Sequence, residues 1–260
     1  VDRVRGVGKD MHSNDTAAEV TNMNTVQRFF QRGVQVGNDV EVNTANESYV
    51  LWQWLLGDSA TTGSTTSPAG SIASTSIVAD AGHFAVISYT GNATGGATIG
   101  HGMSAAPEMI WIKERDNANG WIVGSDIVGY TKILRLDATD AETTDSGAFN
   151  DTAPSATLIT LGSNNGTNRS SGQLICYAFR SVPGVCKVGS YTGNGNADGP
   201  YISTGFKPSF IMIKRSVGGT GDWNILDTAR EPFNAASPLV LRANLTNADE
   251  AGSIGDFDIL

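Results

Sequence analysis

The chain is short of cysteine, of histidine and of long apolar runs, and each shortage removes a class of function. Its two cysteines, Cys176 and Cys186, belong to no Cys-x-x-Cys pair and have no histidine at ligand spacing. They read as buried free thiols and not as a disulfide, a redox pair or a zinc site. No stretch is apolar for long enough to cross a bilayer as a helix. Val1-Asp2-Arg3-Val4-Arg5 lacks a start methionine and the apolar centre of a signal peptide, so the sequence is silent on export. Cations are scarce and scattered: 17 Lys and Arg face 26 Asp and Glu, a formal net charge of −9. Without a basic stripe the chain lacks the electrostatic footprint of a nucleic-acid binder.

What is abundant is glycine, 31 of 260 residues, with Ser, Thr and Asn between short apolar runs and only 17% charged residues. That balance suits many turns and few amphipathic helices, and so an all-β chain with little helix. Asp15 to Arg32 holds the best helical stretch, because Asp15-Thr16-Ala17-Ala18-Glu19 has the form of a capped first turn.

One motif organises the rest. Ser88-Tyr89-Thr90-Gly91-Asn92 returns as Ser190-Tyr191-Thr192-Gly193-Asn194, followed by Pro107-Glu108-Met109-Ile110-Trp111-Ile112-Lys113 and Pro208-Ser209-Phe210-Ile211-Met212-Ile213-Lys214, and then by Trp121 and Trp223. The later half of this unit also stands at the N-terminus, where Gly37 and Tyr49-Val50-Leu51-Trp52-Gln53-Trp54 match Gly162 and Leu174-Ile175-Cys176-Tyr177-Ala178-Phe179. Four segments follow: 1–56 as the C-terminal half of a first repeat, 57–82 as an exposed Ser/Thr/Gly-rich linker, 83–180 as a complete second repeat, and 181–260 as a third lacking its last strand. Both ends fall inside repeats, so the chain is expected to be a segment of a longer protein, with a tryptophan just before Val1. About eight short strands per hundred residues point to antiparallel β-sandwich domains of jelly-roll or lectin-like type in series.

Inside the unit the apolar period is two. Ile110, Ile112, Ile211 and Ile213 are expected to face the core. The closing strand, bulky at Ile175, Tyr177 and Phe179 and small but apolar at Cys176 and Ala178, belongs in the middle of a sheet covered on both sides.

Chemistry finds little support. Asn194-Gly195-Asn196-Ala197-Asp198-Gly199 imitates the start of a calcium loop, but Gly205 stands where a bidentate Glu is needed, so a turn explains it and no metal is expected. His101 has Thr204 as its counterpart, His12 and His83 lie in loops without matched carboxylates, and no nucleophile elbow occurs. Asp137, Asp140 and Glu142 read as a solvated loop and not as a carboxylate cleft. Asp2 with Arg5 and Asp227 with Arg230 share an Asp-x-x-Arg spacing, which the middle repeat carries as Asp126 with Gly129 in place of Arg, so they read as local ion pairs or turn braces and not as catalytic groups. Neither catalytic residues nor a cofactor is expected. Tyr89, Tyr191 and Trp111 remain as candidates for stacking on a ligand such as a sugar, with Trp111 foremost because its counterpart is Met212.

Taken together, Ser-Tyr-Thr-Gly-Asn, His-Gly, Pro-x-Met-Ile-x-Ile-Lys, a lone Trp and the closing Tyr-Val-x-Trp-x-Trp resemble a domain family of unknown function found in tandem in structural proteins of tailed phages, notably marine ones. Tyr177 and Phe179 depart from its closing aromatics. The resemblance implies a virion structural protein at the particle surface, a tail fibre or adhesin segment touching host surface glycan and other virion proteins, and a homo-oligomer, trimeric if a fibre. The alternatives are a capsid-decorating or tail-bracing protein with no ligand, and a secreted bacterial adhesin or carbohydrate-active protein.

Overall fold

Period-two apolar patterning becomes strand after strand in the computed structural model, which describes residues 1–57, 65–67, 69–230 and 238–251. In chain order these are β1 (Lys9–Asp10), β2 (Val20–Thr21), β3 (Val26–Phe30), β4 (Gly33–Val36), helix α1 (Val40–Asn43), β5 (Thr65–Ser67), β6 (Ser74–Val78), β7 (Phe84–Thr90), β8 (Ala97–Gly100), β9 (Met109–Glu114), β10 (Ile122–Ser125), β11 (Lys132–Arg135) and β12 (Thr143–Thr144). Then come α2 (Ser146–Phe149), β13 (Leu158–Leu161), α3 (Asn165–Asn168), β14 (Gln173–Phe179), β15 (Phe210–Lys214), β16 (Trp223–Asp227), β17 (Leu239–Arg242) and β18 (Glu250–Ala251). The protein is mostly β, with several antiparallel sheets.

The largest sheet has eight strands in the order β12-β11-β10-β9-β14-β7-β6-β5. β14 sits at its centre, with Cys176 opposite Ile112 on one side and Ile87 on the other. This is the place expected of a strand apolar on both faces. One face, carrying Ile87, Ile110, Ile112, Leu174, Cys176 and Ala178, packs on Ile99 and Ile159 of the β8–β13 pair and on Phe149 of α2. The other carries Phe84, Met109, Trp111, Ile175, Tyr177 and Phe179. It meets residues of the N-terminal segment (Val4, Met11, Trp52, Leu56) and of the four-stranded sheet β15-β16-β17-β18 (Phe210, Met212, Trp223, Ile225, Leu241). Each fully buried aliphatic side chain contributes about 1.5–3 kcal/mol. Ile110 and Ile112 are fully buried as expected, whereas Ile211 and Ile213 are only half-buried.

Two expectations need correcting. Asp15 to Arg32 is not helical: Val20–Thr21 pairs with Lys9–Asp10, and Val26–Phe30 forms a hairpin with Gly33–Val36. Asp15 accepts from the Ala17 amide at 2.9 Å and makes a turn, and the β-branched and aromatic residues that follow prefer a pleated surface. The stretch 57–82 is likewise more than an exposed linker. Residues 58–64 and 68 lie outside the described residues, but β6 runs beside β7 over five residue pairs, and Ser74, Ser76 and Ile77 are buried. Backbone ladder bonds do not depend on side-chain polarity, and the Ser74 hydroxyl finds the Gly100 carbonyl at 2.7 Å, which removes the cost of burying it.

Local geometry recurs along the chain. β1–β2 pairs Lys9 with Thr21 and Asp10 with Val20, β11–β12 pairs Lys132 with Thr144 and Ile133 with Thr143, and β17–β18 pairs Leu239 with Ala251 and Val240 with Glu250, always in one register. Asp39 caps α1 through the Glu41 amide at 2.9 Å, and Asn164 caps α3 through the Gly166 amide at 2.7 Å. Asn43 donates to the Gly37 carbonyl, and Asn168 to that of Gly162, both at 2.8 Å. A Cβ on Gly37 would run into the Asn24 carbonyl, and one on Gly162 into that of Gly147, so the two glycines are needed for close approach of backbones.

Candidate functional site

The three aromatics singled out from sequence do not come together as a surface. Tyr89 is buried, its ring in the core beneath β8–β13 and its hydroxyl donating to the Thr167 carbonyl at 2.6 Å. That placement withdraws it from any ligand. Trp111 is half-buried, its ring 4.6 Å from that of Phe179, because the face of β9 it occupies is covered by the N-terminal segment and the four-stranded sheet. Among the three only Tyr191 is exposed, at 49%. Sequence gave Tyr89 and Tyr191 one environment because their motifs are identical. The difference is that β7 has β14 beside it, whereas the segment around Tyr191 forms no strand.

Where the sheets meet, the side chains build a closed polar knot that sequence reading had treated as a single ion pair. Asp2 accepts from the Val4 and Arg5 amides at 3.0 and 2.9 Å, from Arg5 Nε at 2.5 Å and from the Tyr177 hydroxyl at 2.8 Å. Arg5 also donates to Glu19 at 3.0 Å and to the Lys9 carbonyl at 2.9 Å, and Arg115 grips Glu19 with two bonds of 2.8 and 2.9 Å. Burial acts to raise the Asp2 pKa, but the Arg5 guanidinium and the bonds from Arg5 and Tyr177 outweigh it and hold the carboxyl below its usual range. Burial also pushes the Tyr177 phenol up, so it stays a neutral donor. Every strong group in the knot is used internally, which suits orientation of segments more than turnover of a substrate.

Asp227 repeats half of this arrangement. It accepts from the Ala229 and Arg230 amides at 3.0 Å and from Arg230 Nε at 2.7 Å, and the Arg230 guanidinium lies 5.9 Å over the Trp52 ring. The Asp-x-x-Arg spacing is therefore a braced turn with a local ion pair, as read from sequence. The structural counterpart between them is Ser125 and not Asp126: Ser125 pairs with Met109 as Asp227 pairs with Phe210, and its hydroxyl accepts from the Ile127 amide at 3.0 Å. Asp126, one residue on, shares the charge of Asp2 and Asp227 but not the ladder position of Asp227.

Contacts between segments recur as well. Trp121 Nε1 donates to the His12 carbonyl and Trp223 Nε1 to the Arg135 carbonyl, both at 2.8 Å. Lys113 Nζ reaches the Thr16 carbonyl at 3.2 Å, and Lys214 Nζ that of Thr139 at 2.9 Å. The Glu19 amide donates to Arg115, and the Glu142 amide to Ser216, each at 2.8 Å. Trp121 and Trp223 share one core with Val123, Leu134, Leu136, Ile225 and Ala243. The two lysines went unremarked in the sequence, although both close the Ile-x-Ile-Lys motif.

The remaining chemical candidates are tied into turns. His101 is fully buried, its Nδ1 accepting from the Met103 amide at 3.1 Å and its Nε2 lying 3.2 Å from the Ser155 carbonyl. Burial lowers its pKa, which keeps it neutral. His12 lies at the surface, 3.7 Å from Asp15 and 3.4 Å from Glu41, and His83 is half-buried. Asn194 accepts from the Asn196 amide at 3.0 Å and turns its amide nitrogen to the Asp198 carbonyl at 3.1 Å, the geometry of an Asx turn. Asp137 accepts from the Trp121 amide at 2.8 Å, and Glu142 pairs with Lys132. Cys176 and Cys186 are unbridged, the first buried and the second half-buried. Among the described residues no group of three or more His, Cys, Asp or Glu is placed to hold a metal ion, and no helix is long and apolar enough to cross a membrane.

Residues 1–260 match a protein family described as a domain of unknown function, DUF7483. No curated protein and no solved structure matches the chain.

Proposed function

The chain belongs over its whole length to this domain family of unknown function, and we propose that it is a structural protein of a virion, built from serial copies of one antiparallel β-sandwich unit of jelly-roll or lectin-like type. The observation that carries the reading is the recurring joint: tryptophan, lysine and main-chain bonds link 1–56 to 83–180 and 83–180 to the third segment in the same way. A joint used twice propagates one geometry along a chain, which is what a display or bracing element requires. The resemblance to tandem domains of tailed-phage proteins supplies the setting, a tail fibre or surface-exposed adhesin. Several weak contacts with a host glycan held in series would give useful avidity there, with Tyr191 the one exposed aromatic of the three singled out.

The burial of Tyr89 and Trp111 favours a second reading, a capsid-decorating or tail-bracing protein without a ligand. Immunogold labelling of intact particles tests both. Label at a fibre tip supports the adhesin, label along the capsid or tail supports the brace, and particles without label refute a virion role. Glycan-array binding then separates display from adhesion.

A further inference from the structure

We propose that the three repeat segments close head to tail around a pseudo-threefold axis, so that one chain contains the interface of a trimer. The surface that joins them takes another copy of the same unit as its partner. The inference extends the joint described above and does not depend on a virion role.

Each joint has a direction, with one segment giving and its neighbour receiving. The second segment gives to the first: Trp121 and Lys113 reach the His12 and Thr16 carbonyls, and the closing-strand Tyr177 hydroxyl bonds Asp2 and Arg5. The third gives to the second, as Trp223 and Lys214 reach the Arg135 and Thr139 carbonyls. The first in turn gives to the third. Trp52 matches Tyr177 and Arg230 matches Arg5, and the Arg230 guanidinium lies 5.9 Å over the Trp52 ring. Giving and receiving positions are therefore the same where the first segment meets the third as where the second meets the first. A head-to-tail interface that returns to its starting unit makes a ring and not a filament.

Equivalent residues also converge. The shared register of β1–β2, β11–β12 and β17–β18 makes Lys9, Lys132 and Leu239 equivalent. Two residues on stand Met11, Leu134 and Leu241, and four residues on stand Ser13, Leu136 and Ala243. Met11, Leu134 and Leu241 belong to one apolar core, which Leu136 and Ala243 share, and the Ser13 hydroxyl donates to the Ala243 carbonyl at 2.6 Å. A unit of about one hundred residues has a radius of gyration of about 13 Å, so in a linear array equivalent positions would stand more than about 25 Å apart. They meet in one core only where a rotation axis passes between the copies.

Aromatic packing fastens the first segment to the third. The Trp52 and Trp54 rings stand edge-on to Phe210 at 5.6 and 5.5 Å, and Trp52 and Phe210 pack on the core that holds Trp121 and Trp223. The first segment is thus held from two sides, by the second and by the third. Threefold assembly then needs no second chain, and covalent linkage lets the copies differ. Tyr177 serves its receiving turn by hydrogen bonding, whereas Trp52 serves the matching turn by stacking under an arginine.

Small-angle X-ray scattering on the monomeric fraction of the 260-residue chain tests the ring without any variant. A closed body of this length should give a radius of gyration of about 18 Å, and units in line more than about 25 Å. A double-mutant cycle adds the closing contact, with Trp52→Leu in the first segment and Phe210→Leu in the third. In urea denaturation the double variant should lose at least about threefold less in its folding equilibrium constant than the product of the single losses. An extended particle overturns the ring and leaves the virion role untouched. Losses that simply multiply also overturn it, since the first and third segments would then not bear on each other.

Discussion

The indole nitrogen of Trp223 donates to the main-chain carbonyl of Arg135 at 2.8 Å. That bond lies at the edge of a core in which Trp223 packs with Trp121, Val123, Leu134 and Leu136, so one side chain ties the four-stranded sheet to the eight-stranded one. Trp223→Phe keeps most of the apolar contact and removes the bond. It is expected to cost about 1–2 kcal/mol, and Trp223→Ala about 3–5 kcal/mol. Urea denaturation followed by far-ultraviolet circular dichroism measures both, and equal losses for the two variants would show that the bond dominates the packing.

Acid should loosen the N-terminal segment. The Asp2 and Glu19 carboxyls are both held below their ordinary pKa values; in each, burial works against the shift, and arginine bonds and charge overcome it. A carboxyl whose folded pKa is depressed contributes stability that is complete above the unfolded value, about 3.9 for Asp and 4.3 for Glu, and is lost as pH falls through the folded value. Midpoints of urea unfolding should therefore be flat near neutrality and fall steeply below about pH 4. Asp2→Asn should flatten that fall and, at pH 7, cost about 3 kcal/mol by leaving Arg5 without its carboxylate.

The two thiols should differ in reactivity. Burial pushes the Cys176 thiol up, and burial aided by Glu108 does the same to Cys186, but Cys176 is fully buried and Cys186 only half so. Alkylation of the native chain at pH 8, read by peptide mass spectrometry, is expected to label Cys186 slowly and Cys176 only after unfolding. Equal labelling of both under native conditions would contradict the central position of β14.

Tyr89 and Tyr191 share a five-residue motif yet should respond oppositely to substitution. Tyr89→Phe leaves the Thr167 carbonyl without its donor and should cost about 1–2 kcal/mol, whereas Tyr191→Ala should stay within about 0.5 kcal/mol. Thermal unfolding of the pair distinguishes core from surface directly.

Gly162→Ala drives a methyl group against the Gly147 carbonyl, and the backbones can separate only by breaking the bond from the Gly162 amide to the Ala148 carbonyl. A loss of about 1–3 kcal/mol is expected. Gly37→Ala, which meets the Asn24 carbonyl, should behave alike in a chevron or equilibrium measurement.

The sequence made the strand character and the middle place of β14 legible, because a run apolar on both faces has few other homes. Gly37 and Gly162 were legible as matched positions for a related reason: a close backbone approach tolerates one residue type. Other features depend on what lies alongside. Nothing in Ser74-Thr75-Ser76 announces burial, since its pairing is made by main-chain groups common to all sequences. The Asp126 register failed because an acidic residue one position away looked like the better match, while Ser125 performs the turn-bracing role with a hydroxyl. Trp111 was picked for its variability, but a tryptophan opposite a methionine can equally be a core position that accepts two shapes. Lys113 and Lys214 were overlooked because their acceptors are carbonyls of a distant segment.

Those lysine bonds, with the tryptophan bonds to His12 and Arg135, divide the burden of the joints unevenly. The donors are side chains and must keep their identity, whereas the acceptors are peptide groups that every residue supplies. His12 can stand where Arg135 stands, and the partner bonds regardless. Substitutions can therefore accumulate on the receiving side without disturbing the fit, so the outward chemistry of each receiving segment is free to diversify while the spacing between segments is inherited unchanged.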